Sequence, residues 1–119
     1  MARGFQTGDI LIFQLESGFG LLKILAIDAL ENETVWHLSA YEDLFLDSES
    51  ADLALESIEN LRVGTKHLAL TTRAFESTQT AKMTNFPVTD HELAHVNAWR
   101  ANPNPQVHDT SVRLLLGLR

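Results

Sequence analysis

Thr34-Val35-Trp36-His37-Leu38-Ser39-Ala40-Tyr41 alternates along its whole length. Val35, His37, Ser39 and Tyr41 fall on one side, and Trp36, Leu38 and Ala40 on the other. A period of two with β-branched and aromatic members is the signature of a strand. Just before it, Leu30-Glu31-Asn32-Glu33 is a polar turn, and Leu21 to Ala29 reads as a second strand around Lys23 and Asp28. Earlier still, Glu16-Ser17-Gly18-Phe19-Gly20 has turn chemistry, and Gly8 to Leu15 holds the apolar run Ile10-Leu11-Ile12-Phe13. Three strands joined by such short turns form a meander, and only antiparallel pairing suits the connections.

The pattern changes after Glu42. Asp47-Ser48-Glu49-Ser50 are helix-start residues, and Leu53, Leu55, Ile58 and Leu61 then recur at helical spacing. This predicts an amphipathic helix from about Ser50 to Leu61, stopped by Gly64. Lys66 to Phe75 returns to strand character. Ala81 to Val88 is a fifth strand, placed at an edge or strand end by Pro87. Thr89-Asp90-His91-Glu92 has the form of a capping box, so a helix is expected to about Ala101, with Leu93, Val96 and either Trp99 or the stem of Arg100 turned inward. Pro103 and Pro105 end it. The apolar tail from Thr110 to Leu118 is expected to pack on the body, either as a last helix capped by Asp109 or Thr110 or as a strand, with the helix favoured. The fold class is therefore α+β: one domain over residues 1–119, with a five-stranded, mostly antiparallel sheet curled towards a small barrel and two or three peripheral helices.

With 119 residues, 45 % of them apolar and 21 % charged, the chain can bury a core without staples. It contains no cysteine, which excludes disulfides, iron–sulfur clusters and thiolate zinc sites. The opening residues, Met1 to Asp9, lack the apolar core of a secretory signal. Apolar stretches such as Ile10 to Phe13 and Leu114 to Leu116 fall far short of the ~20 residues of a membrane helix. A cytoplasmic setting is expected, with no membrane association and no cofactor.

The net charge is −7, and it is segregated. Residues 1–27 are neutral; residues 28–61 hold ten carboxylates and no Lys or Arg; residues 62–119 hold seven bases against four acids. A carboxylate surface repels phosphate, so nucleic acid is disfavoured and a basic protein partner is favoured.

His91-Glu92-Leu93-Ala94-His95 is a literal H-E-x-x-H, in which two imidazoles four apart could share a zinc ion and Glu92 could act as general base. A catalytic zinc needs a third protein ligand, however. The extended motif would want Gly at 98 and His at 101, where this chain has Ala98 and Ala101, and no glutamate follows Glu92. His108 and Asp109 remain, beyond the double-proline turn. Glu92 also falls where the capping box explains it without a metal, so no metal site is assigned, and a zinc-dependent hydrolase stands as the alternative to a binding protein. The chain has no G-x-S-x-G, no G-x-x-x-x-G-K and no G-x-G-x-x-G. A second alternative is a small-ligand site on the strand face that carries His37, Ser39 and Tyr41.

Gly8-Asp9-Ile10, the apolar strand after it, Gly18-Phe19-Gly20 and the second strand through Ile24 and Ala26 resemble the start of the immunity protein 26-like group of bacterial toxin–immunity systems. The resemblance covers about the first 45 residues. It implies an SH3-like barrel and a non-enzymatic protein that holds a toxin domain in check. The acidic helix around Ala54 and the segment after Pro105 depart from the group. Immunity proteins that block nucleases are often acidic because the toxin site is built for phosphates. No binding residue is carried over from the group. The acidic segment itself gives the expected contacts as Glu42, Asp43, Asp47, Glu49 and Asp52, with Tyr41 and Phe45 as apolar anchors, and replacing Asp43, Asp47 and Glu49 by Lys is expected to abolish association.

Overall fold

A computed structural model describes residues 4–118; residues 1–3 and 119, the ends of the expected domain, lie outside the described residues. The meander is present as β1 (Asp9–Leu15), β2 (Gly18–Ala29) and β3 (Thr34–Tyr41). Glu16 and Ser17 alone make the first turn, because Leu15 pairs with Gly18. Gly20 sits opposite Phe13, and a Cβ there would lie 2.6 Å from the Phe13 ring, so the ring folds over a position that only glycine leaves open. Two further strands, β4 (Val63–Thr71) and β5 (Thr80–Asn85), join the outer sides. The order is β4-β3-β2-β1-β5, and every pairing is antiparallel.

The sheet is covered on both faces. On one side Leu11, Phe13, Leu22, Ile24, Trp36 and Leu38 pack under two short helices, α2 (Thr72–Glu76) and α4 (Val112–Leu116). Phe75 of α2 stacks on Trp36 with ring centroids 4.3 Å apart. The other side carries two longer helices. There α1 (Ser48–Leu55) buries Ala51 and Leu55 against Ile10, Ile12 and Leu21, and α3 (Asp90–Ala101) buries Val96 against Leu25 and Ala26.

The sheet stays open and does not reach the barrel expected of it. β4 and β5 lie at opposite edges. The outer side of β4 is taken over its last residues by the chain itself: the His108 N–H donates to the Ala69 carbonyl (2.8 Å), and the Thr71 N–H donates to the His108 carbonyl (3.0 Å).

The helix expected over Ser50 to Leu61 is shorter. Asp47 caps it, accepting from the Ser50 N–H at 2.8 Å, and it ends at Leu55 before a separate 3-10 turn at Ile58–Asn60. Ser57 and Asn60 favour local turns over helix, and Leu61 is already extended towards β4. Gly64 belongs to that strand and does not cap a helix; a Cβ on it would come within 3.0 Å of the Glu42 Cβ. The strand read over Lys66 to Phe75 stops at Thr71, whose hydroxyl accepts from the Ala74 N–H and starts α2. Of the helix and strand left open for the tail, the helix forms over Val112–Leu116, and Ser111 caps it rather than Asp109 or Thr110. Among the described residues no helix is long and apolar enough to cross a membrane.

Candidate functional site

Three features of the α1/α3 side are built from side chains that the pattern of strands and helices brings together. The first is a buried polar chain beneath α3. Arg100, in the last turn of α3, grips Asp28 with both arms: Nη2 donates to Oδ1 at 2.6 Å and Nε to Oδ2 at 3.0 Å. The Asp28 carboxyl is held below the ordinary carboxylate range, chiefly by Arg100 and then by His37 against the effect of burial. An ionised Asp28 only accepts, so His37 must donate from Nε2 (3.0 Å). Burial pushes the His37 imidazolium pKa down, so the ring is neutral at neutral pH and its Nδ1 is a lone pair. His67 therefore donates from Nε2 to His37 Nδ1 at 2.8 Å. His37 is fully buried, and the Trp99 ring closes over it edge-on at 4.7 Å.

His67 ends this chain with a free Nδ1 acceptor, an arrangement that can in principle supply a base. Its pKa, however, is pushed down to about 4, first by burial and then by the neighbouring His37, His95 and His108. A base that weak does little at neutral pH. Among the described residues no hydroxyl is bonded to it. The chain bolts α3 to β2, β3 and β4.

The second feature involves the H-E-x-x-H residues. His91 and His95 do share a face of α3, with ring centroids 6.0 Å apart. The capping box forms as expected: Thr89 Oγ1 accepts from the Glu92 N–H (3.1 Å), and Glu92 Oε1 accepts from the Thr89 N–H (2.9 Å). That same oxygen accepts from Lys23 Nζ at 2.9 Å, and Lys23, nearly fully buried on β2, also donates to the Pro87 carbonyl. Glu92 is thus held by a cation and a cap. Of the remaining third-ligand candidates, Asp109 accepts from Arg73 and from Thr71 Oγ1, and His108 lies along β4. Among the described residues no group of three or more His, Asp or Glu side chains is placed to hold a metal ion.

Beside this pair is a cavity of about 90 Å3 lined by Ser39, Val63, Lys66, His91, Glu92 and His95. Ser39 Oγ is buried there without a hydrogen-bond partner. The space is about three waters' worth and far below the ~300 Å3 at which small-molecule sites begin. On the opposite face of the sheet a second cavity, of about 240 Å3, is lined by Leu44, Leu116 and Leu118 together with Ala40, Tyr41, Gly64, Thr65 and the charged Glu42. Both have walls from β4.

The third feature is the acidic surface. Glu42, Glu49 and Asp52 are exposed, and Arg62 approaches Glu42 (3.4 Å). Asp43 accepts from the Arg62 N–H at 2.7 Å, and Asp47 is the α1 cap, its carboxyl held below the usual range by the Ser50 hydrogen bonds. The two expected apolar anchors are placed differently. Tyr41 is only 7 % exposed and packs against α1, its hydroxyl pushed up to about 12 by burial and by the Glu92 charge. Phe45 is half-buried in the same cluster, and its backbone pairs with Phe19 (2.7 and 2.9 Å). Of the exposed large apolar side chains, Leu44 (50 %), Leu46 (85 %) and Leu53 (67 %) are interleaved in sequence with the carboxylates, while Leu30, Val63 and Leu114 lie outside this segment.

Reading the sequence alone missed Asp28, His67 and Lys23 as partners, and missed the three leucines as the exposed ones. Lys23 did carry a signal: a lone cation inside Leu21-Leu22-Lys23-Ile24-Leu25 on a central strand must find a buried partner. In comparisons with known proteins, the chain matches no family profile, no curated protein and no solved structure.

Proposed function

We propose that this is a binding protein whose acidic, leucine-studded surface engages a basic, partly apolar protein partner. The observation that carries the reading is the exposure of Leu44, Leu46 and Leu53 among Glu42, Asp43, Asp47, Glu49 and Asp52. Large apolar side chains at this exposure have no role in the core, and grouped ones mark interaction surfaces. Carboxylates around them speed encounter with a basic partner and set its orientation, while desolvated leucines supply affinity. An inhibitor of the immunity type, which the N-terminal strands resemble, would use such a surface against a phosphate-binding site.

The structure guides the choice of variants. Asp43 and Asp47 hold backbone groups, so Glu42→Lys, Glu49→Lys and Asp52→Lys reverse the charge without removing a cap. The probe is an amphipathic peptide of lysine and leucine, titrated by calorimetry at rising salt. Binding should weaken with salt, and by at least about tenfold in the triple variant, for a loss of ~1.4 kcal/mol. Equal affinity for both proteins would remove this surface from the function.

A further inference from the structure

β4 is an edge strand that the chain covers only in part. Around Ala69 to Thr71 its outer side is paired with His108, in the parallel direction. From Val63 to His67 no strand among the described residues lies on that outer side. Unpaired main-chain donors and acceptors on a sheet edge are a template for one more strand. An added strand sends alternate side chains to opposite faces of the sheet. Here each face offers a cavity against β4, the larger one beside Leu44, Leu116 and Leu118 and the smaller one beside Ser39 and His95.

We propose that the open half of β4 receives an extended segment of the partner as a sixth strand. The charges and cavities define its chemistry. Glu42 and Asp43, at the Val63 end, call for a lysine or arginine. The 240 Å3 cavity takes an apolar side chain against Leu44, Leu116 and Leu118, with Glu42 and Thr65 forming the polar part of its wall. The 90 Å3 cavity takes a small polar one that gives the Ser39 hydroxyl the hydrogen bond it lacks. Lys66, exposed in the middle of the open stretch, disfavours antiparallel pairing with a second copy of this edge, which would bring like charges together. The proposal rests on the binding reading above and adds the site at which the partner's backbone docks.

The probe is a panel of extended peptides of about nine residues, alternating leucine or valine with serine or threonine and carrying lysine at one end. A matched panel is N-methylated at alternate amides, which removes strand pairing and leaves side chains and charge in place. Binding is followed by calorimetry, and the amides of Val63 to His67 by hydrogen exchange. The expected result is binding with slowed exchange in that stretch, weakened at least tenfold by N-methylation. Equal binding of the methylated peptides, protection confined to α1, or no binding by any peptide would overturn it. So would concentration-dependent dimerisation that protects the same amides in the absence of peptide. The Glu49→Lys, Asp52→Lys protein, which reverses charge on α1 and leaves Glu42 beside β4 untouched, separates the two readings. Binding lost on charge reversal yet indifferent to N-methylation leaves the acidic surface standing and removes strand docking; the converse removes the acidic surface and keeps the edge.

Discussion

Two single residues on β3 show how the same strand face carries opposite energetics. His37 is fully buried with both ring nitrogens bonded, so His37→Ala would leave the His67 N–H without its acceptor, leave Asp28 to Arg100 alone and open a cavity under Trp99. The expected loss is about 3 kcal/mol, read as a lower urea midpoint at unchanged slope. Ser39, two residues on, is buried with its hydroxyl unbonded. Ser39→Ala should therefore raise the midpoint, by up to ~1 kcal/mol; a clear loss would mean that the hydroxyl has a partner in solution. Neither fate was legible beforehand. The alternation Val35-His37-Ser39-Tyr41 showed that these residues share a face, but their environment depends on α3, which arrives more than fifty positions later. The bond from Asp28 to Arg100 spans 72 positions, and periodicity is blind to a pairing at that range.

At the scale of elements, the sequence was read best where local chemistry decides the outcome. β3 runs over the eight residues whose alternation predicted it, and α3 begins at the capping box that Thr89 and Glu92 announced. Reading failed where a residue serves two elements. Thr71 ends β4 and caps α2, and Glu92 caps α3 while holding Lys23. This double duty is testable by comparing two variants. Thr89→Ala removes one cap bond and should cost about 1 kcal/mol. Glu92→Ala also strands Lys23, whose ammonium is nearly fully buried, and should cost about 3–5 kcal/mol. Equal urea midpoints for the two would show that Lys23 draws nothing from Glu92. The open sheet belongs to the same scale: three strands with short turns predict a meander, but whether its ends meet depends on β4, β5 and the His108 segment together.

For the molecule as a whole, α3 is fastened to the sheet by groups that titrate, so stability depends on pH in two steps. His67 has a folded pKa of about 4 against about 6.5 when unfolded, and that of His37 is lowered as well. Between those values the unfolded chain holds a proton that the folded chain refuses, so stability rises with pH through the window. The contribution is complete above about pH 6.5 and is lost as the pH falls towards 4, with His67 accounting for on the order of 2 kcal/mol. A second step follows below about pH 4. Asp9, Asp28 and Glu92 have lowered folded values: burial pushes Asp9 and Glu92 up, but hydrogen bonds from Asn85 and Gln6 and from Thr89 and Lys23 outweigh it, while Arg100 dominates at Asp28. Their stability is present above the unfolded carboxylate range and disappears as they take up protons. Urea midpoints measured between pH 8 and pH 3 should therefore fall in two legs, the upper due to histidine. His67→Gln keeps an amide donor for His37 and cannot titrate, so its upper leg should shrink while the lower leg stays. An upper leg of unchanged size in that variant would place the titrating group elsewhere and remove His67 from the bolt that fastens α3.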